Sequence, residues 1–113
     1  MGYSRAVRVG SIVHVAGTTA TDEQGKLMGI GDPYVQARQA MHNIEHALVQ
    51  AGARLSDVVR TRIYVANIKH WEQIGRAHQE MFGAIRPATT MVQVSAFVDP
   101  AMLVEIEAEA IIG

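Results

Sequence analysis

The residues best suited to chemistry lie near the end of the chain, in Val104-Glu105-Ile106-Glu107-Ala108-Glu109-Ala110-Ile111-Ile112. Side chains alternate along a strand, so Glu105, Glu107 and Glu109 share one face and Ile106, Ala108, Ala110 and Ile112 the other. The apolar face packs on helices. The acidic face is either wet or covered by another molecule. If it is covered, a carboxylate loses hydration and its pKa climbs toward the range useful for general acid–base work at neutral pH. Alternation alone does not choose among Glu105, Glu107 and Glu109.

Other side chains can serve such a centre. Tyr3 and Arg5 are two residues apart and fall on one face of an N-terminal strand, and Arg5 can hold a carboxylate. Thr18 and Thr89 offer hydroxyls for ligand oxygens, although Thr is also a favoured strand residue. Arg76 and His78 sit on a helix and can point toward a cleft, with a packed histidine as the plainer reading of His78. His42 and His46 are one helical turn apart. No third ligand is in sight, so they read as a solvated face and no metal is expected. Asp57 reads as a turn or cap residue. There is no phosphate-binding glycine loop, no Ser-His-Asp arrangement and no basic-aromatic patch.

Composition bounds the setting. At 113 residues the chain has the size of one domain. It is 49% apolar but only 5% aromatic, which fits a surface partly hidden in an oligomer. A net charge of −1 argues against a nucleic-acid surface. Without cysteine, disulfides, thiolate metal sites and cysteine nucleophiles are excluded. No apolar run spans a membrane, so a soluble, cytoplasmic protein is expected.

Residues 3–9 and 12–18 read as a hairpin around Gly10-Ser11. Asp32-Pro33 opens a helix over residues 33–51, with Asp32 as N-cap and Gly52 as the C-terminal stop. Val58–Val65 is a β-branched strand. Residues 68–82 read as a second helix, with Trp71, Ile74, His78 and Met81 near one face. Residues 86–97 read as a strand partnering the final strand, which puts Met91 and Gln93 beside the carboxylates. The order ββαβαββ predicts an α+β sandwich with both helices on one face of the sheet. The other face then needs a cover, and a second copy of the chain is the simplest one.

The pieces Gly2-Tyr3-Ser4-Arg5-Ala6-Val7, Val15-Ala16-Gly17, Ala37-Arg38-Gln39-Ala40 with Asn43-Ile44, Asp57-Val58-Val59, Pro87-Ala88-Thr89-Thr90-Met91-Val92-Gln93-Val94 and Val104-Glu105-Ile106-Glu107-Ala108, in this order, resemble the RidA/YjgF (reactive intermediate deaminase) superfamily. The resemblance covers nearly the whole chain. It implies a chorismate-mutase-like fold and a homotrimeric barrel, with helices outside and small-molecule clefts between neighbouring subunits. It also implies hydrolysis of imines or enamines to a keto acid and ammonia, without metal or organic cofactor. Some relatives carry the name of ribonuclease, which a chain lacking a basic run does not support. The resemblance makes Glu105 the water-positioning, catalytic carboxylate, matches Tyr3 to a pocket tyrosine and puts Thr89 at a pocket position; Gly17, Thr18 and Met91 complete the expected substrate-binding set. Thr89 stands where the deaminase branch has a carboxylate-clamping arginine, Ala16 where it has serine, and Gly75 where it has asparagine. Thr89 cannot make a bidentate charged pair. Arg5 is the nearest substitute to inspect, with Arg76 a second cation. The expected function is a deaminase-like hydrolase for a small carboxylated imine or enamine. The alternative is a binding module that captures a small carboxylated metabolite in the same cleft.

Overall fold

The computed structural model describes residues 1–113. Five strands and two helices follow one another as β1 (Ala6–Val9), β2 (Ile12–Thr18), α1 (Pro33–Gln50), β3 (Val58–Val65), α2 (Trp71–Phe82), β4 (Ala88–Gln93) and β5 (Val104–Ile111). The α+β order expected from sequence holds, with both helices on one face of a mixed sheet.

The sheet runs β1-β2-β5-β3-β4. All neighbours are antiparallel except β3 and β4, which are parallel. A parallel pair needs a crossover, and α2 supplies it. Burial alternates along the central strands. Val104, Ile106, Ala108 and Ala110 of β5 are buried, as are Val58, Thr61, Ile63 and Val65 of β3 and Val13 and Val15 of β2. These residues meet Ala37, Ala40, Met41, Ile44 and Leu48 of α1 and Ile74, Ala77 and Phe82 of α2. The carboxylates of β5 occupy the opposite, open face.

Local chemistry sets the helix ends. Asp32 caps α1 by accepting from the Val35 backbone N–H at 3.1 Å, and Pro33 fits the first turn, where no donor is needed. Gly52 leaves the helix at φ 87°, a conformation that a Cβ disfavours. Asp57 accepts from the Arg54 N–H at 2.9 Å, the turn role expected of it.

Three boundaries differ from the sequence reading. The first strand begins at Ala6, so Tyr3 and Arg5 precede it. Residues 68–70 form a separate 3-10 turn in which Asn67 caps the Lys69 N–H, and Trp71 is 56% exposed at the start of α2. Phe82, not Trp71, fills the core. The fourth strand is shorter and has a different partner. It pairs with β3 alone, while β5 lies between β2 and β3. Strand β5 buries every second residue and bonds along both edges, whereas β4 is largely exposed and sits at the rim.

Candidate functional site

The three carboxylates of β5 have three different surroundings. Glu109 accepts from Arg62 Nη1 at 2.8 Å, with His14 Nδ1 at 4.0 Å. That pairing holds its pKa below the usual carboxylate range, the hydrogen bond from Arg62 being the main cause. Glu107 accepts a hydrogen bond from the Tyr64 hydroxyl, which raises the tyrosine's pKa. Glu105 has neither kind of partner. Burial pushes its pKa up, the Glu107 charge adds to the rise, and Arg5 partly offsets it. The fold thus disfavours the charged form of Glu105.

Glycine makes room for it. The pairing of β2 with β5 slips between Val15 and Thr18, and Gly17 sits in that irregularity. A Cβ on Gly17 would lie 2.6 Å from Glu105 Oε2 and 2.9 Å from its Cδ. The carboxylate therefore rests against bare backbone.

Arg5 closes the same corner. Its Nη1 donates to the Gly17 carbonyl at 3.0 Å and to Thr18 Oγ1 at 3.2 Å, and its Nη2 donates to the Tyr3 hydroxyl at 3.3 Å. The guanidinium carbon lies 5.7 Å from the Tyr3 ring centroid. Thr18 passes its own proton to the Ala16 carbonyl at 2.7 Å. Tyr3, Arg5, Gly17, Thr18 and Glu105 thus form one cluster, although Tyr3 and Arg5 are not in a strand. A cavity of about 280 Å³ opens beside it, lined by Gly17, Tyr64, Phe97, Glu105 and Glu107 among others. A larger one of about 760 Å³ lies on the far side of Arg5 and Thr18, against α1. Its wall is braced by Asn43, which donates to the Thr19 and Thr21 carbonyls. The smaller cavity is the one that Glu105 lines.

The remaining predicted residues lie elsewhere. Thr89 and Met91 align with Thr61 and Ile63 in the parallel pair and so face the helices, on the side of the sheet opposite Glu105. Met91 is half-buried against the core. The expectation that it sits beside the carboxylates on a partner strand is corrected by the β3–β4 pairing. Arg76 stacks on the Tyr34 ring at 4.3 Å in the helix layer. Gln93 accepts from the Ile68 N–H at 2.9 Å. His42 and His46 are exposed on α1. No group of three or more His, Cys, Asp or Glu side chains is arranged to hold a metal ion.

Sequence reasoning missed Tyr64 and Thr61. Tyr64 stands opposite Glu105 across the β3–β5 ladder, a pairing that sequence adjacency hides. Thr61 is the one polar residue among the buried positions of β3, a signal that was there to be read.

The family model described as Endoribonuclease L-PSP matches residues 1–112. Rv2704 of Mycobacterium tuberculosis, described as a member of the YjgF/YER057c/UK114 family, is 52% identical. Its structure superposes with a TM-score of 0.88, covering 98% of this chain and 87% of that one. This chain belongs to the YjgF/RidA family. Within the family, the Streptomyces coelicolor protein SCO2049 is 41% identical over 112 residues, or 99% of this chain and 83% of the relative. The Acinetobacter baylyi protein named 3-aminoacrylate deaminase RutC is 33% identical over 108 residues, or 96% of this chain and 85% of the relative.

Proposed function

We propose that this protein is a hydrolytic deaminase acting on a small carboxylated imine or enamine, in clefts formed between the subunits of a homotrimer. The observation that carries the proposal is Glu105: a carboxylate with a raised pKa, seated on bare backbone at Gly17, with the Arg5 cation beside it. The kinship with a relative named as a 3-aminoacrylate deaminase supports the same reaction class.

In this reading Glu105 takes a proton from water as the water oxygen bonds to the imine carbon. The substrate is the protonated imine, so the electron pair of the C=N bond moves to a nitrogen that already carries its protons and the carbinolamine is neutral. Glu105 then returns its proton to that nitrogen, and the C–N bond breaks to release ammonia. The hydroxyl proton passes to the freed Glu105 carboxylate, leaving a carbonyl, and Glu105 hands that proton on to ammonia as ammonium. An enamine enters the same route after protonation at carbon. Arg5 limits the rise in the Glu105 pKa. Tyr3 and Thr18 hold Arg5 in place.

Glu105 and Thr89 lie on opposite faces of one sheet. One chain cannot close both around a small substrate. A neighbouring subunit presenting its β4 end to the Glu105 corner would do so, and a heterologous contact that closes after three copies has that geometry. Thr89 replaces a charged clamp by a hydroxyl, which weakens the hold on a substrate carboxylate.

The test is ammonia release from freshly generated 2-iminopropanoate and 3-aminoacrylate. Wild-type protein accelerates release from at least one, and Glu105→Gln lowers the rate by about 10²–10⁴-fold, the usual worth of a positioned acid–base group. Saturable binding of small acids with no turnover by the wild type would replace this reading with that of a metabolite-binding module.

A further inference from the structure

The donors of β3 and the carboxylates of β5 are out of step. In the ladder, Tyr64 stands opposite Glu105, Arg62 opposite Glu107 and Arg60 opposite Glu109. The side-chain bonds do not follow that pairing. The Tyr64 hydroxyl donates to Glu107, and Arg62 Nη1 donates to Glu109 at 2.8 Å. Each donor thus serves the carboxylate two residues further along β5, a diagonal that long side chains can span. Glu105, at the start of the row, receives no donor from β3. A direct pairing of Tyr64 with Glu105 and of Arg62 with Glu107 would leave Glu109 over instead.

This offset has its consequence in one cavity. Gly17, Tyr64, Glu105 and Glu107 line the same space of about 280 Å³. Two carboxylates therefore face one opening, and the tyrosine hydroxyl engages only one of them. Tyr64 stays a donor throughout the range in which carboxylates titrate, because its bond to Glu107 raises an already high pKa. Three elements bring charged or titratable groups toward Glu105: Arg5 from ahead of β1, Tyr64 from β3 and Glu107 from its own strand. From β2 it meets Gly17, which has no side chain. Further along the sheet, Arg62, His14 and Arg60 act on Glu109.

We propose that Tyr64 is a positioning residue that selects Glu105 as the acid–base group of this cavity, by holding Glu107 at its side. Pinned by the hydroxyl, the Glu107 carboxylate stays at a fixed place beside Glu105. A negative neighbour held there favours the protonated form of Glu105. Phe at position 64 would pack the same ring and lose only this bond. Tyr64 acts through Glu107, so its effect disappears once the Glu107 charge is gone. The inference deepens the deaminase reading and rests on it for the role of Glu105, whereas the offset itself can be tested without turnover.

The test is a pH titration by NMR of the full-length protein labelled with ¹³C at the glutamate carboxyls. Glu107→Gln removes the charge but keeps an acceptor for Tyr64, and it should lower the Glu105 midpoint by about half a pH unit or more. Tyr64→Phe frees Glu107 to turn toward Arg62, and it should lower the midpoint in the same direction by less. The double variant should match Glu107→Gln alone. The acid limb of ammonia release should move with each midpoint. An unchanged midpoint in Glu107→Gln would overturn the proposal, as would a Tyr64→Phe shift that persists in the Glu107→Gln background. Lower stability in Tyr64→Phe with the Glu105 midpoint unmoved would make the tyrosine merely structural and overturn it too. Ammonia release with unmoved midpoints would sink this inference alone. Midpoints that shift as expected in a protein releasing no ammonia would sink the deaminase reading and leave Glu105 as the selected proton acceptor.

Discussion

On the open face of the sheet, Glu105, Glu107, Glu109, Arg62 and Arg5 set charge against charge. On the helix face, His78, Thr61 and Thr89 form a neutral chain in which each hydroxyl passes on one proton. The difference follows from solvent. A face that only another subunit would cover can carry charges and leave one carboxylate poised. A face closed by the chain's own helices can afford polar groups only when each is satisfied. One face thus leaves Glu105 without a hydrogen-bond partner, and the other ties its polar groups to one another.

The sharpest way to break this contrast is at Gly17. Gly17→Ala puts a methyl 2.6 Å from Glu105 Oε2, and the flexible carboxylate swings away. Turnover should fall by about 10–100-fold with a stability change of about 1 kcal/mol or less, since the clash is with a side-chain end. Steady-state rates and denaturant melts of the one variant separate the two effects. Thr61→Val acts oppositely. It strips His78 and Thr89 of their shared partner inside the fold and should cost about 1–3 kcal/mol in urea unfolding, with little change at Glu105.

Smaller effects follow from pH. The Glu105 pKa is raised above its ordinary value of 4.5, so the folded state resists the charge. Wild type then loses stability as pH rises from that value through the raised one. Glu105→Gln should melt at a higher temperature than wild type at neutral pH, and the gap should close below about pH 4. Arg62→Gln should give the smallest shift, of opposite sign. The lowered Glu109 pKa stabilises the fold above the ordinary carboxylate value, and that contribution fades as pH falls through the lowered one. The variant is therefore slightly less stable at neutral pH and equal to wild type in acid.

Much of the fold was legible because its signals are local. Asp32-Pro33 and Gly52 bound α1, and the alternation over residues 104–112 assigns Glu105 to one face and Ile106 to the other. The pairing of β4 was not legible. Residues 86–97 and 104–112 are neighbours in sequence, which suggests a hairpin, but register and partner are settled by non-local packing. Strand β3 lies between them, and that moves Met91 and Thr89 away from the carboxylates. Tyr3, Arg5 and Thr18 do meet, but through hydrogen bonds of the Arg5 guanidinium and not through the shared strand face that alternation suggested, since the strand begins only at Ala6. His78 drew notice as a helix histidine, but its hydroxyl partners come from two other elements, and only the folded chain brings them together.

The central claim is that one subunit's Glu105 and a neighbour's Thr89 complete a single cleft, and subunit mixing tests it most directly. Glu105→Gln removes the base, and Thr89→Glu sets a repelling carboxylate where the ligand's own should sit. Each variant alone should be inactive. Co-refolded in equal amounts, they should recover about a quarter of the wild-type ammonia release, because in a random ring about one junction in four joins two intact halves. Activity no greater than that of either parent, against an active wild type, would contradict the account and place the whole site within one chain.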